Sequence, residues 1–239
     1  MMMRQLSLSI DSRPDAQIAD FAGPGWVAVI DAVRQLHAGL LQRVYLYGEA
    51  DSGKSHLLSA ICESYQDMQR SAIQVSLIEL LDAPTEALAA LESFDLVALD
   101  DLEAIRGVSH WQEAIFHLIN RSSAGAGQLI FASRLPPQAL QLELPDLMSR
   151  LSQAACFQLP NGDHFADREA LLAAALKRRG WHFEPQIIEH ILQHGPHQAG
   201  LMLKILGQLE VFFQAQRRKP SASMIRQVLN LIDSQSASH

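Results

Sequence analysis

The segment GEADSGKS, residues 48–55, has glycines, a lysine and a hydroxyl group at a spacing that can bind phosphate. It fits the pattern G-x-x-x-x-G-K-[ST], in which the glycines let backbone N–H groups turn toward phosphate oxygens. A β-rich run, RVYLY, precedes it and an apolar helical pattern follows it, as this mechanism requires. A glycine-rich turn without function would not explain the lysine. The pattern therefore predicts a nucleotide site.

Each part of this segment, called the P-loop below, has an expected role. Lys54 would reach the β- and γ-phosphates, and Ser55 would hold Mg²⁺. The expected cofactor is ADP or ATP, with Mg²⁺ where the nucleotide carries it. The predicted nucleotide-binding residues are Gly48, Glu49, Ala50, Asp51, Ser52, Gly53, Lys54, Ser55 and His56.

A second candidate is LVALDD, in which an apolar run ends in Asp100 and Asp101. If the run is a buried strand, both carboxylates lie at the carboxyl edge of a sheet, where phosphates bind in such folds. Asp100 is then the expected Mg²⁺ partner through water, and Asp101 the group that polarises an attacking water. A pair of exposed turn carboxylates is the alternative.

The elements that must position these residues alternate between strands and helices. The runs RVYLYG, FDLVALDD and QLIFAS, with an alternating stretch at residues 73–77, predict strands. Helical patterns follow Ser55 and cover residues 84–92 and the stretch from residue 109. This order predicts an α/β domain with a parallel sheet over residues 15–160. After LPNGDH only helical patterns follow, so residues 161–239 are expected to form a small all-helical domain.

Composition narrows the class of protein. The chain has 239 residues, of which 48% are hydrophobic and 19% charged, enough for a substantial core. Its formal net charge of −7 argues against a protein that reads DNA sequence, because phosphate contacts need basic surfaces. Cys62 and Cys156 have no metal-ligand spacing and are expected to be buried, reduced thiols. Without a signal peptide or a long apolar run, the expected location is the cytoplasm, away from the membrane.

Several motifs together resemble the DnaA family of bacterial replication initiators, within the AAA+ ATPase class. They are IADFAGPGWVAVIDAV, GKSHLLSAI, LVALDDLEAI, LINRSSAGAGQLIFASRLPPQAL and LPDLMSRL, and the resemblance runs from about residue 15 to 232. It implies an AAA+ core followed by a helical lid, with the segment before the P-loop cupping the adenine. It also implies that Arg150 is an arginine finger for a neighbouring subunit's nucleotide, and that Ser133 and Arg134 form sensor 1. A salt-bridged surface arginine is the alternative for Arg150.

The resemblance has two departures. The chain shows neither the helix-turn-helix domain nor the N-terminal helicase-loading domain of DnaA, which suggests a stand-alone module. Gly200 lies where the family normally has a nucleotide-contacting arginine, called sensor 2, and Lys204 follows one turn later. Weak or absent intrinsic ATP hydrolysis is the expected consequence.

The first residues, MMMRQLSLSI, raise a further possibility. Stand-alone members of the family that inactivate DnaA carry a peptide of the form Gln-Leu-x-Leu-x-Leu, which docks on the DNA polymerase sliding clamp. Gln5, Leu6, Leu8 and Ile10 match it, so residues 1–14 are expected to form an extended clamp-binding peptide. An edge strand is the alternative.

The resemblance thus implies a negative regulator of replication initiation whose partners are the sliding clamp and DnaA. An active AAA+ ATPase of the helicase-loader type is the alternative function, and a DnaA-like DNA-binding factor is the third. Homo-oligomerisation is left open.

Overall fold

A five-stranded parallel sheet organises the computed structural model, which describes residues 16–125 and 127–216. The strands are β1 (Arg43–Tyr47), β2 (Ala72–Ser76), β3 (Leu96–Asp100), β4 (Gln128–Ser133) and β5 (Ala155–Gln158). Their spatial order is β2-β3-β4-β1-β5, and every neighbouring pair is parallel. All carboxyl ends therefore lie at one edge, where the P-loop, residues 48–55, follows β1.

Helices connect the strands and complete the chain. They are α1 (Val27–His37), α2 (Lys54–Asp67), α3 (Leu77–Leu80), α4 (Ser109–Ala124), α5 (Pro145–Ser152), α6 (Phe165–Arg178), α7 (Pro185–His194) and α8 (Ala199–Gln216). Short 3₁₀ helices lie at Ile18–Asp20, Pro24–Trp26, Thr85–Ser93, Leu102–Ile105 and Pro137–Ala139.

The sequence-based fold class is confirmed. Every residue of β3 and β4 is buried, as expected for central strands covered on both faces. Two details differ from the prediction. Leu77 begins α3 instead of continuing the edge strand β2, and the stretch predicted as a helix at residues 84–92 is a 3₁₀ helix.

The helical segment after residue 160 packs directly on the sheet domain. One apolar cluster joins Leu58 of α2 with Leu172 of α6 and Leu203 of α8. The division at residue 160 stays a proposal, because the two parts share this cluster. Residues 217–239, the end of the predicted lid, lie outside the described residues.

The prediction for the cysteines is half right. Cys62 on α2 is buried, but Cys156 is exposed. β5 is an edge strand in which residues alternate between a half-buried and an exposed face, and Cys156 lies on the exposed one. Within the two described ranges, no helix combines the length and apolarity that crossing a membrane would require.

Candidate nucleotide-binding site

The P-loop makes a tight turn between β1 and α2. Gly53 precedes the first residue of α2 with φ of +100°, a conformation that side chains rarely adopt. A Cβ at Gly48 would lie 2.9 Å from Ser52 Oγ, so the loop also needs a small residue at its start. The Gly48 amide donates to the Ser133 carbonyl oxygen at 3.2 Å, which ties the loop to the end of β4.

Lys54 folds over the loop. Its Nζ donates to the carbonyl oxygens of Gly48 and Glu49, each at 2.7 Å, and more weakly to Ser52 Oγ at 3.3 Å. The side chain is 8% exposed, and this burial lowers the pKa of Lys54, although nearby carboxylates oppose the shift. An ammonium held above glycine-rich backbone at a helix N-terminus fits the phosphates of a nucleotide. Helix geometry leaves the first amides of α2 without intrahelical acceptors, and a phosphate can accept from them.

The two predicted carboxylates lie at the carboxyl end of β3, near Lys54. Asp100 is 3% exposed, and this burial raises its pKa. The negative charge of Asp101 raises the pKa of Asp100 further. Ser55 and Lys54 oppose that shift, so both groups lie close to Asp100. Asp101 has φ of +57°, and its carboxylate accepts a hydrogen bond from Ser76 Oγ at the end of β2, at 2.9 Å. The structure thus brings the P-loop and the acidic pair together.

The proposed sensor residues also lie at this edge, but they contact a residue that the sequence analysis did not select. The buried Ser133 hydroxyl donates to Glu103 Oε2 at 2.8 Å. The Arg134 backbone amide donates to the same oxygen at 3.2 Å, and the Arg134 Nε lies 3.3 Å from Glu103 Oε1. Glu103 lies in the motif LVALDDLEAI, two residues after Asp101. Its closeness in sequence to the acidic pair is the feature by which the sequence could have identified it.

A narrow cleft lies between Trp26 and the helices α6 and α8, near the segment that the resemblance implied would cup the adenine. Its walls include Trp26, Pro160, Arg168 and His197. The Gly25 amide donates to Asp167 Oδ1 at 2.7 Å, which joins the segment before α1 to helix α6. The space between these walls is about 10 Å³, which is enough for about one water molecule, so the cleft would have to widen to take a base.

Gly200, at the position expected for sensor 2, lies on the P-loop itself. Its amide donates to the Asp51 carbonyl oxygen at 2.8 Å. A Cβ at Gly200 would lie 2.7 Å from that oxygen and 2.9 Å from the Gly53 nitrogen. Lys204 is exposed. Burial lowers the pKa of His56, and the charge of Lys204 lowers it further, so Lys204 lies near His56.

Arg150 lies apart from these groups, on α5. Leu147 and Leu151 of the same helix are fully buried and anchor it. Arg150 itself is half-buried, and within residues 16–125 and 127–216 no group forms a hydrogen bond or an ion pair with its guanidinium. The predicted clamp-binding residues Gln5, Leu6, Leu8 and Ile10 lie outside the described residues.

Comparison with known proteins places this site in a family. The family model described as "Bacterial DnaA ATPAse domain" matches residues 27–157, which is more than half of the chain. The chain belongs to this family. A Haemophilus influenzae protein described as uncharacterized is similar at 32% identity over 232 residues, covering 96% of this chain and all of that protein.

Solved structures of the DnaA ATPase family share the fold. Domain III of the Thermotoga maritima replication initiation protein DnaA superimposes with a TM-score of 0.71 at 18% identity, covering 91% of this chain and 96% of that one. AMPPCP-bound DnaA from Aquifex aeolicus superimposes with a TM-score of 0.67 at 24% identity, covering 80% of this chain and 64% of that one. The family match and the shared fold together make this protein a DnaA-type AAA+ protein with a P-loop NTPase fold.

Proposed function

We propose that this protein is a regulatory inactivator of DnaA, of the Hda type. Bound to a nucleotide and tethered to the sliding clamp, it would stimulate ATP hydrolysis by DnaA through Arg150. The carrying observation is the state of that arginine: α5 is anchored by two buried leucines, while the Arg150 guanidinium has no described partner. A guanidinium that is not held by a carboxylate of its own chain is available to a phosphate group of a partner.

The geometry around the P-loop supports a protein in which a bound nucleotide holds the sheet domain and the helical segment together. Lys54 and the first amides of α2 would bind the phosphates, and Ser55 and Asp100 would hold Mg²⁺. The base would lie near Trp26, where the narrow cleft would have to widen to take it. A bound nucleotide supplies phosphate charge that these groups neutralise. Because α8 already contacts the P-loop through Gly200, a nucleotide in this site would bridge the sheet domain and the helical segment.

In this proposal the hydrolysis takes place on DnaA. Charge develops on the γ-phosphoryl oxygens as water attacks, and an inserted guanidinium offsets it. Arginine fingers supplied in trans are worth about 10³–10⁵ in rate in other nucleotide hydrolases. Arg150 would offset this charge on the nucleotide that is bound to DnaA. It would take no part in nucleotide binding by its own chain.

The clamp tether rests on the sequence of residues 5–10. Extended peptides with alternating apolar anchors suit a hydrophobic groove, and Gln5 could fix the register by hydrogen bonding. This tether would bring Arg150 to DnaA at replicating DNA.

One observation favours a second function, an ATPase of the helicase-loader type. Asp101 lies beside the P-loop and is held by the Ser76 hydroxyl at 2.9 Å, in a position that could polarise water in its own site. Intrinsic turnover of ATP by the purified protein separates the two functions, since an inactivator needs none.

The deciding experiment measures ATP hydrolysis by DnaA with and without this protein, in the presence of clamp loaded on DNA. We expect strong stimulation that is lost when Gln5, Leu6 and Leu8 are changed together to alanine. A DnaA hydrolysis rate that this protein does not alter would overturn the proposal. Thermal denaturation of the triple variant serves as the control, because an unchanged midpoint separates lost tethering from lost folding.

A further inference from the structure

Asp20 joins the segment before α1 to the end of α6. Its carboxylate is fully buried, and the Oδ1 atom accepts a hydrogen bond from Arg178 Nε at 2.8 Å. The Oδ2 atom accepts from the Gln17 amide at 3.1 Å and lies 4.0 Å from Arg179 Nη1. Asp20 and Arg178 are 158 residues apart in sequence, so this ion pair holds two distant parts of the chain together.

Arg179 extends the network to α8. Its side chain is 1% exposed, and its Nε donates to Glu210 Oε2 at 3.0 Å. The first turn of α8 lies on the P-loop, because the Gly200 amide donates to the Asp51 carbonyl oxygen. The segment before α1 is thus connected to the P-loop through the ends of two helices.

The residue after Asp20 connects this ion pair to the nucleotide site directly. Phe21 is buried, and its Cε1 atom lies 3.4 Å from the point where a Cβ of Gly53 would stand. Its ring also packs on Trp26, with the two ring centroids 4.9 Å apart. Trp26 is one wall of the narrow cleft near which the base would lie. A displacement of Asp20 would therefore change the contact with the P-loop and the position of the cleft wall together.

A second contact joins the same segment to the other end of α6. The Gly25 amide donates to Asp167 Oδ1 at 2.7 Å, about three helical turns before Arg178. Because the cleft would have to widen to take a base, one of these two attachments would have to open. Among the described residues Asp167 accepts only from Gly25, whereas Asp20 has the buried ion pair and the Gln17 amide. The Gly25 attachment is therefore the one expected to open.

We propose that the Asp20–Arg178 ion pair is the fixed point about which residues 20–26 rotate when a base enters the cleft. Asp20 is then a positioning residue for the base of the nucleotide. This inference rests on the proposed nucleotide binding and adds the group that holds the protein's contact with the base. A buried ion pair suits this role, because apolar residues of similar volume often stabilise a fold as well, whereas a charge pair can specify one geometry.

The ion pair would act on the base and not on the phosphates. With Asp20 held, Phe21 stays on Gly53 while Trp26 moves to admit the base and packs on it. Without the ion pair, neither aromatic side chain has a fixed position relative to α6. The phosphates would still meet Lys54 and the first amides of α2, which the ion pair does not contact.

The test compares ADP with inorganic pyrophosphate, which has two phosphates but no base. Isothermal titration calorimetry on the full chain with Mg²⁺ gives the dissociation constant for each ligand. Arg178→Gln removes the ion pair at a side chain that is 17% exposed, and it should weaken ADP binding about tenfold while pyrophosphate binding stays unchanged. The ratio of the ADP constant to the pyrophosphate constant is decisive, because partial unfolding would weaken the binding of both ligands by the same factor.

Two further variants complete the comparison. Asp20→Asn breaks the same ion pair from the other side, so it should raise the ratio as Arg178→Gln does. Lys177→Gln, at the exposed position next to Arg178 on α6, is the matched control for the loss of one positive charge. It should keep the ratio of the parent protein.

A ratio that rises in Arg178→Gln and in Asp20→Asn but not in Lys177→Gln supports the inference. A ratio that stays at the parent value in Arg178→Gln overturns it, even if both affinities fall, because the ion pair would then only stabilise the fold. That result would leave ADP binding by the parent, and with it the proposed nucleotide site, in place. If the parent binds neither ligand, the nucleotide site of the proposed function fails, and this inference fails with it.

Discussion

The Gly200 amide donates a hydrogen bond to the Asp51 carbonyl oxygen at 2.8 Å, so the first turn of α8 lies directly on the P-loop. No room remains for a side chain at this position, because a Cβ would meet backbone atoms of Asp51 and Gly53 at 2.7 and 2.9 Å. The arginine that the family resemblance implies here could not be accommodated without moving α8. The close packing of α8 on the P-loop therefore requires that no arginine stands at position 200.

Gly200→Ala should therefore destabilise the protein. Overpacking against backbone costs about 1–3 kcal/mol, which outweighs the gain in helix propensity. The matched control is Gly207→Ala on the same helix, where a Cβ would meet nothing within 4 Å. That change should stabilise the protein by up to about 1 kcal/mol. Urea denaturation of both variants checks the prediction, and equal stability of the two would contradict the docking of α8 on the P-loop.

The sequence predicted the elements of the site better than their arrangement. Local patterns identified β1, β3 and β4 and the helix after Ser55, because buried parallel strands read as continuous apolar runs. The carboxylates of Asp100 and Asp101 could be placed at the sheet edge because a strand with that pattern ends there. These inferences needed only neighbours in sequence.

The contacts across the sheet could not be predicted in this way. Glu103 meets Ser133 because β3 and β4 are adjacent strands, and no periodicity within either segment gives that adjacency. Gly200 is 149 residues from Asp51, and its contact depends on how α8 packs on α2. The exposure of Cys156 likewise follows from the edge position of β5, which the alternation of four residues did not identify.

Lys54→Ala should weaken the binding of ADP at least tenfold. The substitution removes a charge-assisted contact with the β-phosphate, worth about 1.5–3 kcal/mol. Calorimetric titration with ADP measures the change, and Lys177→Ala, at an exposed position on α6, is the control for loss of one positive charge. Unchanged ADP affinity in Lys54→Ala would show that the P-loop assignment is wrong.

Asp100→Asn should stabilise the protein near neutral pH when no nucleotide or Mg²⁺ is bound. Burial raises the pKa of Asp100 above its ordinary value of 3.8, so the folded state holds this proton more tightly than the unfolded state. The free energy of unfolding then falls as the pH rises from 3.8 through the folded-state pKa, by about 1.4 kcal/mol for each pH unit that separates the two pKa values. Asparagine does not ionise, so the free energy of unfolding of the variant does not fall in this way as the pH rises.

Urea denaturation at several pH values in EDTA measures the effect of Asp100→Asn. Its advantage over the parent should be full above the folded-state pKa of Asp100 and shrink as the pH falls toward 3.8. Asp82→Asn, at an exposed position, is the control for the same change of residue type. A variant less stable than the parent at neutral pH would mean that the partners of Asp100, among them Lys54 and Ser55, outweigh its burial.

Arg150→Ala should leave folding and ADP binding unchanged and eliminate the stimulation of ATP hydrolysis by DnaA. Leu147 and Leu151 anchor α5 and remain in place, and the guanidinium has no partner to lose within the described residues. What disappears is a positive charge offered to the transition state on the partner. Arg34→Ala, at an exposed position on α1, removes the same charge and should retain stimulation. Asp101→Asn should also retain it, because the water that reacts would lie in the site of DnaA. If Asp101→Asn abolished activity and Arg150→Ala spared it, the protein would act as an ATPase through its own site instead.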